Sequence, residues 1–295
     1  MKRDDTLWKG ILENVFDDFL RFFIKDADEI FDMQKGFGFL DKELAQVIAI
    51  EEVEEPKQVD KLVKAHTRSG TEEWILIHVE VQGYNEVEFP RRMFNYFYRI
   101  WDTWQKPVTA FVIFTDRNKK FCPSQFSYSF LGTSLSYSYN VYKVILQDEK
   151  MLLQNTNPFA IVIAMVLLAL KSNNFDDNQL FDLKLSLLRN LLKRKIPLLK
   201  VRKLLLFLHQ YVRFANPDIN IKFGKTIDIL SEKNKSMDIE EMIIERTKKQ
   251  ASREAAIAIA TKMIKDGTAL SDVQRYTELD NEELKKLSLK LKKDK

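Results

Sequence analysis

The sequence predicts an α/β fold: a mixed sheet flanked by helices over the first half of the chain, followed by an all-helical C-terminal region. Three observations predict it. Residues 58–66 and 74–82 alternate between apolar and polar around a turn at Arg68-Ser69-Gly70-Thr71. Val108 to Thr115 (VTAFVIFT) is a continuous apolar run of strand length, the mark of a strand buried on both faces. From Asn157 onward the apolar residues recur at helical spacing.

In chain order, residues 10–25 set Ile11, Val15, Phe19, Phe22 and Phe23 on one face of an amphipathic helix. The two alternating segments form a hairpin, and residues 89–105 read as an aromatic-rich helix leading to the apolar strand. Residues 117–150 interleave aromatics with serine and predict further short strands. Asn155-Thr156-Asn157-Pro158 supplies cap residues and a first-turn proline for a helix whose apolar run, Pro158 to Leu170, spans 13 positions. That is short of the roughly 20 needed to cross a bilayer, so it predicts a buried core helix. Pro197, Asn216-Pro217 and Ser231 to Ser236 are expected breaks. Residues 1–150 then form the sheet domain, 151–235 a helical region packed on it, and 236–295 a charged helical tail ending in a short helical pair around Gly267 and Asp280.

Composition bounds what such a chain does. Across 295 residues, 47 Lys and Arg face 43 Asp and Glu, with 45% apolar residues, eight Gly and seven Pro, which excludes collagen-like and broadly disordered chains. Cys122 is the only cysteine, so disulfide scaffolds and multi-cysteine zinc sites are excluded. The start MKRDDTLWKG places Asp4 and Asp5 where a signal peptide needs apolar residues, and a cytoplasmic protein is expected. Charge is unevenly placed. Glu51, Glu52, Glu54 and Glu55 form an acidic cluster, whereas Lys184 to Lys203 holds eight basic residues and no acid, with Lys193, Arg194 and Lys195 in succession. Such an excess attracts polyanions, although a solvated helix face gives the same pattern.

The hairpin carries the chemistry. Ile75, Ile77, Val79 and Val81 share one face with Val59, Val63 and Ala65. Burying both odd-numbered sets in one core requires paired residue numbers to sum to an even value, as an odd-length loop such as Arg68-Ser69-Gly70 provides. Asp60, Glu80 and Gln82 therefore project from one face of adjacent strands. Two converging carboxylates repel unless a cation lies between them. Mg²⁺ takes oxygen ligands, and Asp60, Glu80 and the carbonyl of Val81 match that preference. Gln82 does not titrate but can orient water by hydrogen bonds. The alternative is a pair of ordinary solvent-face acids. Arg92 and Tyr96, at i and i+4 on the following helix, share a face and could meet a phosphate, or form an arginine lying over an aromatic ring. No G-x-S-x-G, P-loop or dinucleotide fingerprint occurs.

The run from Asp60 to Gln82, ending in IHVEVQ, resembles the core of the PD-(D/E)XK nuclease superfamily in the branch with Gln in place of Lys. The whole chain resembles the bacterial recombination-promoting nucleases, a family also labelled transposases. The likeness is carried by LENVFDDFLRFF, by residues 59–82, by RRMFNYFYRIWDTWQKPVTAFVIFTD, by NPFAIVIAMVL and by LRNLLKRKIPLLKVRKLLLFLHQYV. It covers most of residues 5–215 and, more loosely, the tail from Ile239.

The resemblance implies a restriction-endonuclease-like domain over residues 1–150 and an endonuclease, dependent on Mg²⁺ or alternatively Mn²⁺, that cuts DNA and promotes recombination. Asp60 and Glu80 match the metal-binding acids, Gln82 the third motif position, and Glu13 a glutamate contributed by the first helix. Arg92, Tyr96, Lys193, Arg194 and Lys195 are the expected DNA contacts, and the C-terminal helices an expected site of homo-oligomerisation. Glutamine in the third position removes a charge that would stabilise the transition state. The alternative within the same fold is a non-catalytic module that binds DNA or protein.

Overall fold

The computed structural model describes residues 2–48, 59–68 and 74–230, and beyond them the short helical pieces 257, 259–264, 272–273 and 277. The chain divides into two units, Met1–Ile227 and Asp228–Lys295. Residues 151–227 thus fall in the same unit as the sheet.

The first unit opens with α1 (Lys2–Asn14) and α2 (Phe16–Phe23) where one helix over 10–25 is expected. The break is at Val15, whose φ of −131° and ψ of 31° leave the helical region. Just before it, Asn14 Nδ2 donates to the Gly10 carbonyl at 2.6 Å, competing for the acceptor that the helix uses at that step. Next come α3 (Ala27–Ile30), β1 (Phe37–Phe39) and α4 (Asp41–Ile48), for which the sequence offers no periodic signal because each is so short. Then follow β2 (Val59–His66), β3 (Trp74–Gln82), α5 (Phe89–Trp104) and β4 (Val108–Phe114), close to their expected bounds.

Three short strands complete the sheet structure: β5 (Gln125–Phe130), β6 (Thr133–Ser138) and β7 (Asn140–Lys143). The main sheet has the order β1-β2-β3-β4-β7, while β5 and β6 pair only with each other. β1, β2 and β3 are antiparallel neighbours, and β3, β4 and β7 are parallel ones. Parallel β3 and β4 need a crossover, and α5 provides it. The β2–β3 register runs from Val59↔Val81 to His66↔Trp74, so every pair sums to an even number, as burial of the odd set requires. The turn containing Gly70 lies outside the described residues.

Helices cover both faces of the sheet. On one, Leu44 of α4 and Tyr96 and Ile100 of α5 pack with Leu62 and Leu76, and Phe89 and Met93 pack with Val112 and Phe114. On the other, Phe16 meets Phe37 and Phe39, while Phe19 and Phe23 meet Phe111 and Phe159. Phe159 belongs to α7 (Pro158–Lys171), which follows α6 (Glu149–Gln154). Asn157 caps α7 by accepting from Phe159 N, and every residue from Phe159 to Leu168 is buried, as its apolar run predicts. α8 (Asp177–Leu192) starts with a capping box of Asp176 and Gln179, and α9 (Leu198–Tyr211) begins after Pro197. Residues 217–227 are also helical. Among the described residues, no helix is long and apolar enough to cross a membrane.

In the second unit, Ala260 and Val273 are buried against Ile257, Met263 and Ile264. The remainder of the expected helical pair around Gly267 and Asp280 lies outside the described residues.

Candidate functional site

β2 and β3 bring Asp60 and Glu80 into direct cross-strand register. The side chain of Asp60 lies outside the described residues. His78, Glu80 and Gln82 leave β3 on alternate residues and therefore share a face with Asp60. That face is not wet. His78, Glu80 and Gln82 are fully buried beneath α5. The alternative of ordinary solvent-face acids is not the one realised for Glu80, and the burial has a specific cause, a partner supplied from elsewhere in the chain.

The partner is Arg92. Its Nη1 donates to Glu80 Oε1 at 3.3 Å, and its Nη2 donates to Gln82 Oε1 at 3.1 Å and to Glu86 Oε2 at 2.9 Å. Burying a carboxylate without a counter-charge costs several kcal/mol, about the order that a paired cation must offset. Gln82 is committed on its other side too, with Nε2 donating to the Tyr84 carbonyl at 2.7 Å. Its amide thus locks the guanidinium in place, where the sequence reading has it orienting water. Glu80 Oε2 is buried and accepts no hydrogen bond from a described residue, and His78 Nε2 stands 4.0 Å away.

Arg92 and Tyr96 were expected on a DNA-facing surface; both are buried instead. The i, i+4 face that they share also carries Phe89, Met93 and Ile100, so it is the core stripe of α5. The guanidinium lies 5.1 Å from the Phe89 ring and 5.6 Å from the Tyr96 ring, and Tyr96 packs edge-on to His78. The reading of an arginine over aromatic rings is the one realised.

Glu13 has another partner. Lys61 is fully buried, and its Nζ donates to Glu13 Oε1 at 2.5 Å and to Asp41 Oδ2 at 2.6 Å. Strand alternation directs Lys61 away from the face that bears Asp60 and Glu80, so Glu13 serves a separate cluster. Val81 likewise belongs to the odd-numbered face, and its backbone lies inside the sheet, opposite Val59 and Ile113.

Two clusters went unrecognised in the sequence. Lys61 interrupts an otherwise apolar set at odd positions, a signal for a buried, paired lysine. Lys143 at the end of β7 forms a buried ion pair with Asp116, just beyond β4. Gln82, Phe114 and Lys143 stand level across the three parallel strands. The carboxyl ends of parallel strands are where open α/β sheets place ligand sites. The Arg92–Gln82 network and the Lys143–Asp116 pair both stand at that end of the sheet.

The basic segment is only partly surface. Arg194 donates to the carbonyls of Asn157 at 3.0 Å and Leu153 at 3.1 Å, tying the end of α8 to the α6–α7 junction, and burial lowers its pKa. Lys200 bonds Asp17 and Asp18. Burial opposes its charged form, yet the two carboxylates prevail and raise its pKa. Lys184 is fully buried, with Nζ donating to Val212 O at 2.6 Å and His209 O at 3.2 Å between the rings of Phe214 and Phe223. Burial pushes its ammonium down to about 7. Lys193 and Lys195 are exposed, as are Arg189, Arg202 and Lys203.

Glu80 contributes a buried carboxylate oxygen with no described hydrogen-bond donor, an oxygen of the type that hard divalent cations take. Among the described residues, no group of three His, Cys, Asp or Glu could hold a metal. Comparison with known proteins finds no family model, no curated protein and no solved structure that matches this chain.

Proposed function

We propose that the chain is a metal-dependent DNA endonuclease of the PD-(D/E)XK kind. The observation that carries this reading is the direct pairing of Asp60 with Glu80 on adjacent strands, with Gln82 two residues further along the same face. The order of elements supports it: a leading helix, an antiparallel meander, a crossover helix and a parallel strand enclose that pair.

In this reading Asp60 and Glu80 hold the cation, with the carbonyl of Val81 as a further oxygen. Mg²⁺ or Mn²⁺ bound there supplies polarisation of the phosphodiester and a lower pKa for the attacking water. Gln82 leaves the third motif position uncharged, and Arg92 restores a positive charge beside it. Its guanidinium contacts both Glu80 and Gln82, a position suited to stabilising charge that develops on the phosphate. Gln82 is then a positioning residue that acts through Arg92.

The test is nicking of supercoiled plasmid in Mg²⁺, Mn²⁺ or EDTA by the wild type, Asp60→Ala and Glu80→Gln. Metal-dependent nicking that both substitutions abolish is expected. Cutting by Asp60→Ala at the wild-type rate would remove the site assignment. One observation favours a second reading, a non-catalytic DNA- or protein-binding module: Glu80 is fully buried and already neutralised by Arg92. DNA affinity that persists in EDTA, with no cleavage in either metal, would establish that reading.

A further inference from the structure

The β5–β6 hairpin has two unlike faces. Its register pairs Ser127 with Ser136 and Ser129 with Ser134 on one side, and Phe126 with Tyr137, Tyr128 with Leu135 and Phe130 with Thr133 on the other. The base of the aromatic face is covered: Phe126 stacks on Phe94 at 5.2 Å and Tyr137 on Phe97 at 4.6 Å. Further out the apolar side chains stand in water, with Tyr128 50%, Phe130 61% and Leu131 88% exposed. Between this face and the first turns of α5 lies a groove of about 770 Å³, lined among others by Pro90, Arg91, Phe94, Phe126, Tyr128 and Leu135.

The tip is strained as well as exposed. Leu131 and Gly132 both have positive φ, 44° and 85°. A two-residue turn of that shape ordinarily takes Asn-Gly, because a branched apolar residue pays about 1–2 kcal/mol in the left-handed region. Leucine here meets neither the needs of the turn nor those of a core.

We infer that this face binds unpaired bases of single-stranded DNA, stacking them on Phe130, Tyr128 and the groove behind them; the choice of DNA rests on the endonuclease reading above. Tyr128 and Phe130 lie two residues apart, roughly 6.6 Å along a strand. That interval is about twice the stacking rise of bases, so one base fits between successive rings. The charge is complementary. Arg117, Lys119 and Lys120 are exposed in the loop that leads into β5, with no acid among them. Asp116, next to that loop, is sealed against Lys143, and Glu88 at the groove is offset by Arg91, 4.0 Å away. A partner recognised by apolar contact alone would not call for this cationic border.

The test is fluorescence anisotropy of labelled oligo(dT) and of a duplex of equal length, in EDTA, with the full-length wild type and Tyr128→Ser/Phe130→Ser. The wild type is expected to bind oligo(dT) at least ten-fold more tightly than the duplex. The hairpin variant should lose on the order of 100-fold toward oligo(dT), since each stacked base contributes about ten-fold. Both hairpin residues are exposed, so the double substitution leaves the core untouched, which circular dichroism verifies. Unchanged oligo(dT) binding by the hairpin variant overturns the inference even if plasmid nicking is intact. Loss of binding by that variant sustains it even if the wild type never cuts. A wild-type dimer that the double substitution dissociates, without oligo(dT) binding, assigns the face to a second copy of the chain and overturns it too.

Discussion

Arg92 and Glu80 form an ion pair with essentially no exposure to water, 3.3 Å between Nη1 and Oε1, joining the crossover helix to the strand it follows. Nη2 of the same guanidinium donates to Gln82 and Glu86, so one guanidinium holds three side chains. Removal of Arg92 therefore strands the charge of Glu80 in the interior.

Arg92→Leu should destabilise the protein by about 3–5 kcal/mol, because Glu80 remains buried without its cation. Glu80→Gln combined with Arg92→Leu should recover part of that loss, giving a favourable coupling in a double-mutant cycle. Urea unfolding of the two single variants and the double variant measures it. Additive losses would mean that the pair is not a coupled unit.

Lys184 makes stability depend on alkaline pH. Its ammonium titrates near 7 in the folded protein against 10.5 when solvated, so between those values the unfolded chain binds more protons. Stability from this group then rises with pH from about 7 to about 10.5. Lys184→Met should abolish that rise and raise stability at pH 6 relative to the wild type, by on the order of a few kcal/mol. Unfolding free energies of both proteins at pH 6 and 9 check the sign.

The consecutive basic residues 193–195 should separate by role. Arg194→Ala should reduce stability by about 1–3 kcal/mol, since the carbonyls of Leu153 and Asn157 lose their donor. Lys193→Ala and Lys195→Ala should leave the unfolding midpoint unchanged. If they contact phosphate, each should lower the salt slope of DNA binding by about one. Binding isotherms at several salt concentrations, beside thermal unfolding, distinguish the two effects.

Leu131→Asn should stabilise the hairpin by about 1 kcal/mol, because asparagine tolerates the left-handed backbone at φ 44° and leaves no apolar side chain in water. Thermal unfolding provides the comparison, and an unchanged midpoint would show that the turn relaxes locally.

The hairpin register was legible because two apolar odd-numbered sets had to meet in one core, and period two leaves a single parity that allows it. The parallel strand β4 was legible for a similar reason, since a strand buried on both faces carries an uninterrupted apolar run. The environment of Glu80 was not legible. Alternation registers polarity, and it cannot tell a carboxylate facing water from one facing an arginine twelve positions along the chain. The basic segment misled by the same logic: Lys184 and Arg194 count as positive in the sequence, but their donors are spent on backbone carbonyls within the fold. Between residues 26 and 48, elements of three to eight residues were too short for any period to emerge.

The central helix α7 sets a limit on how the chain can be shortened. Its ten consecutive buried residues touch α2 on the sheet side and α6, α8 and α9 on the other, so no side of the cylinder is spare. A fragment ending at residue 150 would leave Phe19, Phe22 and Phe23 without the ring of Phe159 that now meets all three. Such a fragment would be sticky rather than simply smaller. The minimal unit for expression and crystallisation is consequently set by α7 and its helical neighbours, even though every motif acid lies in the first third of the chain.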